Sequence, residues 1–166
     1  KNTNALNKLG YIYFDEKYVK RDINKSILFF TLSAELNNSE AQNNIGILYY
    51  EGKYVQRDMN KAIHYLSLAA DQNNKNSQNL IGFIYYEGKY VQRDMNKAIH
   101  YLSLAAKQNQ LDALNNLGII YFDGIFVKQN INKAIGYFTQ AAKQNYPYAQ
   151  NNLGMIYSNA KYKEYD

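Results

Sequence analysis

Five glycines, Gly10, Gly46, Gly82, Gly118 and Gly154, stand 36 residues apart in a chain of 166. Each follows a Leu or Ile (Leu9, Ile45, Ile81, Leu117, Leu153) and is followed three residues later by a Tyr (Tyr13, Tyr49, Tyr85, Tyr121, Tyr157). A fixed period of this length constrains the fold more than any local propensity. It marks a stacked array in which each unit packs only on its neighbours. Such a chain presents an extended surface rather than an enclosed reaction centre, which points to holding another molecule.

The segment from Ala41 to Asp71 serves as the type unit. Ser39 is placed to cap a first helix through its hydroxyl. Ala41, Ile45, Leu48 and Tyr49 then fall on one helical face. Gly52 is expected to end this helix in the left-handed region, where a Cβ would be penalised. Val55 pins the loop, and Asp58 caps a second helix whose buried stripe is Ala62, Tyr65, Leu66, Ala69 and Ala70. Gln72, Asn73 and Asn74 turn the chain into the next unit. Gly46 costs about 0.5–1 kcal/mol relative to Ala in a helix interior. Its recurrence predicts a close approach of the second helix, with Tyr49 filling the space beside the contact.

Units start near residues 5, 41, 77 and 113, with a partial unit from 149, in one repeat domain covering 1–166. Tyr49–Ala70 recurs unchanged as Tyr85–Ala106, the mark of internal duplication. Two units depart from the type. Glu16 replaces the loop glycine, so the first loop strains or bends differently. Ala160 and Lys163 replace the loop Gly and Val of the last unit, which loosens that turn. Asn130 replaces Asp58 and should still cap.

The net charge of +5 is modest. Glu51 and Asp58 offset Lys53 and Arg57 within one loop, so no nucleic-acid partner is expected. No apolar run is long enough to insert in a membrane. With no Cys there is neither a disulfide framework nor a thiolate metal site. That suits a reducing compartment such as the cytoplasm, without excluding an oxidising one such as the endoplasmic reticulum lumen.

The run Ala41-Gln42-Asn43-Asn44-Ile45-Gly46, followed by Tyr49, Gly52, Val55, Asp58, Lys61-Ala62, Tyr65 and Ala69-Ala70, resembles the Sel-1-like repeat, a relative of the tetratricopeptide repeat. The resemblance covers essentially the whole chain. Tyr54, Tyr65 and Asn73 stand where that pattern often has Gly, Trp and Gly. It implies an all-α fold, a right-handed superhelix of antiparallel helix pairs, with first helices lining a concave wall. It also implies an adaptor or scaffold for protein–protein interaction, not an enzyme.

By analogy with related repeats, four rows on the first helices face that groove. The first row is Asn7, Asn43, Asn79, Asn115 and Asn151. The second is Tyr11, Ile47, Phe83, Ile119 and Met155. The third is Phe14, Tyr50, Tyr86, Phe122 and Ser158. The last is Asp15, Glu51, Glu87, Asp123 and Asn159. An Asn carboxamide both donates and accepts, so the first row can hold the backbone of a peptide segment. It can equally bond within the first helices or between neighbouring units. The apolar rows supply contact, and the acidic row favours basic side chains. A second reading is a structural spacer that contacts neighbours through the outer face or the loop edge.

No catalytic motif is present, and no cofactor is expected. His64 and His100 share one repeat offset and stand about 10 Å apart, too far for one metal ion. Both are expected on the outer face. Lys61 recurs near the start of the second helix, an unfavourable place for a cation by dipole logic. Either its stem packs or it pairs with an acid. The last first-helix carries Leu153, Met155, Ile156 and Tyr157, which points to a longer chain or a complex.

Overall fold

The structure, a computed structural model, describes residues 2–159. Among the described residues there are nine α-helices and no strand. They are α1 (Thr3–Phe14), α2 (Ile23–Glu35), α3 (Ser39–Glu51), α4 (Met59–Asp71), α5 (Lys75–Glu87), α6 (Met95–Lys107), α7 (Leu111–Asp123), α8 (Ile131–Ala142) and α9 (Pro147–Ser158). The order is that of antiparallel helix pairs at the 36-residue period. Residues 1–81 and 82–166 form two compact units, and each is described by itself.

Local chemistry sets the helix boundaries. Asp22, Asp58, Asp94 and Asn130 each accept a hydrogen bond from the backbone N–H three residues on, as at Asp58 from Lys61 at 3.0 Å. Each thereby satisfies an orphan donor of a second helix. Ser39 does not cap α3. That role falls to Asn38, whose Oδ1 accepts from the N–H of Ala41 at 2.9 Å, leaving Ser39 as the first helical residue. Gly52 ends α3 at φ +65, as expected. The turn after each second helix uses Asn37, Asn73, Asn109 and Asn145 at positive φ instead of Gly. Asn is among the few L-residues that tolerate this region. At Glu16 no left-handed residue forms; α1 ends at Phe14 with Asp15 extended, so the first loop bends differently rather than straining. Ala160 and Lys163 lie outside the described residues.

In the first unit, Phe30, Ala34, Ala41, Ile45 and Leu48 form the core, with Tyr49, Val55 and Tyr65 packed against it. Leu66 fills the notch over Gly46: a Cβ there would lie 2.7 Å from Leu66 Cγ. The close approach read from the glycine period holds at Gly10, Gly46, Gly82 and Gly118, whereas a Cβ at Gly154 would meet nothing within 4 Å. In the first repeat Ser26 and Ser33 stand where the second has Ala62 and Ala69. Their hydroxyls donate to Gly10 O and Thr3 O at 2.8 Å each, so these buried polar groups are satisfied. In the second unit, Leu117, Ile120, Phe138, Ala141, Ala149 and Ile156 belong to one buried cluster.

Lys61 takes the acid pairing left open above, and its ammonium adds a ring contact. Its Nζ lies 3.8 Å from Asp58 Oδ2 and 5.0 Å from the centre of the Tyr49 ring. Tyr49 in turn stacks on Tyr65, with 6.3 Å between ring centres. Lys133, whose cap is the uncharged Asn130, keeps the ring contact, at 4.8 Å from the centre of Tyr121, with no ion pair among the described residues. The cation–π contact thus recurs where the ion pair does not.

Candidate functional site: paired clefts on the first helices

Each unit carries a cleft between successive first helices. In the first unit it has a volume of about 210 Å³. Tyr11 and Phe14 of α1, Asn44, Ile47, Leu48 and Glu51 of α3, and Phe30 at the floor line it. In the second unit a cleft of about 130 Å³ is lined by Ile119, Phe122, Asp123, Phe138, Asn152, Met155 and Ile156. Six positions correspond across the two clefts: 11 with 119, 14 with 122, 30 with 138, 44 with 152, 47 with 155 and 48 with 156. Both volumes fall below the roughly 300–1,000 Å³ typical of small-molecule sites. They suit single side chains offered by a partner better than a cofactor.

The sequence rows are sorted by these clefts. Tyr11, Ile47 and Ile119 of the second row line them, as do Phe14 and Phe122 of the third and Glu51 and Asp123 of the last. Phe83, Tyr50 and Tyr86 are half-buried, and Glu87 is exposed. Burial raises the Tyr86 phenol above its ordinary range, and the Asp123 carboxylate adds to the shift. Asp123 also shares a narrow pocket with Tyr86 and Phe126.

The asparagine row takes a different place. Asn7, Asn43 and Asn115 are buried, Asn79 is half-buried and Asn151 is exposed. Asn7 Oδ1 accepts from Asn44 Nδ2 at 3.1 Å, and Asn115 Oδ1 from Asn152 Nδ2 at 2.9 Å. Asn43 Oδ1 accepts from Ser77 Oγ at 2.8 Å. Of the alternatives the sequence left open, bonding between neighbouring repeats describes these three. Tyr11 also donates its hydroxyl to Asn44 Oδ1 at 2.9 Å, tying the cleft wall to the same seam.

Two features escaped the sequence reading. Asn44 lines the first cleft and Asn152 the second, and their recurrence beside the Asn row was the available signal. Arg57, counted only as a charge, donates from Nε to Tyr50 O at 2.9 Å and from a terminal nitrogen to Glu51 O at 2.9 Å. Arg93 does the same to Tyr86 O and Glu87 O, closing the C-terminal end of the first helix. His64 and His100 are exposed. Among the described residues no group of three or more His, Cys, Asp or Glu could hold a metal ion, and no helix is long and apolar enough to cross a membrane.

A Sel1 repeat family model matches residues 3–38, 39–74, 75–110, 111–146 and 147–165, nearly the whole chain. The chain belongs to the Sel1 repeat family. Among solved structures it is similar to a Sel1 repeat protein from Oxalobacter formigenes, 30% identical with a TM-score of 0.88 over 94% of this chain and 64% of that one. A protective antigen present in uropathogenic Escherichia coli strains is 29% identical, with a TM-score of 0.88 over 93% of this chain and 33% of that one. Cysteine rich protein B of Helicobacter pylori is 28% identical, with a TM-score of 0.61, over 82% of this chain and 98% of that one. This chain thus spans less than two thirds of the first two. No curated protein matches the sequence. Sel1 repeat proteins are generally protein-interaction scaffolds, and the fold is typically non-catalytic.

Proposed function

We propose that this Sel1 repeat chain is an adaptor that binds a partner protein segment on its first helices, seating apolar side chains in the two clefts. The observation that carries this reading is the correspondence of six lining positions between the clefts. Tyr11, Phe14 and Ile47, or Ile119, Phe122 and Met155, would grip an apolar side chain. Glu51 and Asp123 at the rims would favour a Lys or Arg beside it. The bonds of Asn7 and Asn115 to the next repeat make them spacers of the clefts, while Asn151 remains exposed as a polar contact.

The test is a selection of short random peptides on the immobilised chain. Peptides pairing an apolar residue with a basic one should be enriched. Ile47→Glu and Ile119→Glu should each weaken capture about tenfold or more, about 1.4 kcal/mol, with the helical circular dichroism unchanged. Enrichment that ignores both substitutions would reject the clefts as the site.

A further inference from the structure

The first four glycines of the period each lie under a side chain of the following second helix. Phe30 covers Gly10, Leu66 covers Gly46, Leu102 covers Gly82 and Phe138 covers Gly118, each so close that a Cβ would strike it. Gly154 of α9 has the same offset, yet a Cβ there meets nothing within 4 Å, and the residue is exposed. Leu153 beside it is half-buried, where Ile45, Ile81 and Leu117 are fully buried. Tyr157 is 37% exposed, where Tyr49 and Tyr121 are half-buried. Thus α9 presents open the notch, apolar wall and ring that the other first helices hold covered.

The covered notches state what fits. The residue over the glycine is Leu or Phe in all four. Four positions before it and three after it stand small residues: Ser26 and Ser33 around Phe30, Ala62 and Ala69 around Leu66, and Ala at the same spacing around Leu102 and Phe138. All of them are fully buried, which lets the two helices approach closely. The residue just before the Leu or Phe stacks on the Tyr of the first helix, as Phe29 does on Tyr13, Tyr65 on Tyr49 and Tyr137 on Tyr121, at 5.7, 6.3 and 6.0 Å between ring centres. A Lys five positions before it lies over that same Tyr, at 5.1, 5.0, 4.8 and 4.8 Å in the four repeats. The match is therefore to a helix with side chains at fixed offsets, not to apolar surface in general.

We infer that α9 accepts one further helix, donated by a partner protein. That helix carries Leu or Phe over Gly154, an aromatic residue just before it, small residues four before and three after, and a Lys five before. The surface is distinct from the peptide cleft, which takes Asn152, Met155 and Ile156 from α9; this one uses Leu153, Gly154 and Tyr157.

The probe is a fluorescein-labelled peptide of residues 58–72, cross-linked between its exposed positions 60 and 64 so that it enters as a helix. Its anisotropy should show saturable binding at chain concentrations up to about 500 µM. Gly154→Leu fills the notch from a position where a side chain meets no neighbour, and should weaken binding about tenfold or more. Tyr157→Ala provides a second reading should Gly154→Leu disturb α9. In the peptide, Leu66→Ala should weaken binding by a similar factor, whereas Leu66→Phe should keep it, since Phe fills two of the notches. Ile47→Glu and Ile119→Glu should leave it intact, which separates this surface from the cleft reading. No saturable binding overturns the inference, as does binding that survives Gly154→Leu and Tyr157→Ala, or that ignores Leu66→Ala in the peptide. Self-association of the chain that Gly154→Leu abolishes would make a second copy the occupant and overturn the partner reading.

Discussion

Gly46→Ala tests the packing on which the repeat depends. By helix propensity alone, Ala should stabilise α3 by about 0.8–1 kcal/mol. The structure opposes this. The new Cβ would lie 2.7 Å from Leu66 Cγ, 3.0 Å from Leu66 Cδ2 and 3.3 Å from Ala62 O. Leu66 is fully buried and meets the methyl with its branch point, so relief requires α4 to shift. Such overpacking costs about 1–3 kcal/mol, leaving a net loss of about 1 kcal/mol and up to about 2. Gly136 provides the internal control. It lies inside α8, is exposed, and a Cβ there meets nothing within 4 Å. Gly136→Ala should therefore gain nearly the full propensity term, about 0.8–1 kcal/mol. The two variants should differ by about 2 kcal/mol, or about 1 M in urea midpoint for a slope near 2 kcal/mol/M. Urea unfolding followed by far-UV circular dichroism measures this. In a Leu66→Ala background the Gly46→Ala penalty should shrink sharply, because Leu66 Cγ and Cδ2 are gone and only the 3.3 Å approach to Ala62 O remains. Midpoints that rise equally for Gly46→Ala and Gly136→Ala would refute the close-approach argument.

Ser77→Ala removes the donor to buried Asn43 Oδ1, so the first unit should lose about 1–3 kcal/mol, read from the same urea curves; Asn43→Ala in that background should cost much less than alone. Asp22 accepts from the backbone N–H of Lys25, and this hydrogen bond holds its carboxyl below the ordinary 3.8; burial opposes it, and the side-chain hydrogen bond and charge of Lys25 assist it. A depressed folded value means that its contribution is present above the unfolded pKa and lost as pH falls through the folded one. An NMR titration should therefore place the Asp22 carboxyl midpoint below 3.8, and Lys25→Ala should move it upward; a midpoint at the ordinary value would sink that assignment.

The helix pairs and their period were legible because packing fixes them locally. Gly46 needs Leu66, Asp58 needs the first-turn amides, and Gly52 needs the left-handed region, and each requirement leaves a residue type at a fixed offset. The Ser39 misassignment shows the limit of such signals. Asn38 and Ser39 are both good caps, and the structure chose the Asn one residue earlier. The Asn row was legible as a row but not as a seam. A carboxamide serves a ligand or a neighbouring helix equally well, and only the distances from Asn7 to Asn44 and from Asn43 to Ser77 distinguish these uses. Arg57 was hidden because its partners, Tyr50 O and Glu51 O, are backbone atoms that leave no trace in side-chain identity.

The seam also explains why the clefts stay open. Successive first helices meet at Asn7 and Asn44 in the first unit and at Asn115 and Asn152 in the second, with donor–acceptor distances of 3.1 and 2.9 Å. A carboxamide pair holds its helices at hydrogen-bond distance and gains nothing from collapsing further. The apolar walls beside it, Tyr11 and Ile47 or Ile119 and Met155, are therefore not drawn together over Phe30 or Phe138. Replacing Asn7 and Asn44 by Leu, with Tyr11→Phe to remove the hydroxyl that donates to Asn44, exchanges the polar partners for apolar groups of similar size. Such exchanges are nearly neutral or stabilising, so the urea midpoint should hold or rise. The leucines, free of directional bonding, should draw α1 and α3 together and narrow the cleft, and peptide capture by the first unit should fall by about tenfold or more. Stability and binding would then move apart in one variant. A triple variant that unfolds more easily would show that the carboxamide bond itself holds the helices. One that keeps full stability and full capture would show that the seam does not set the width of the cleft.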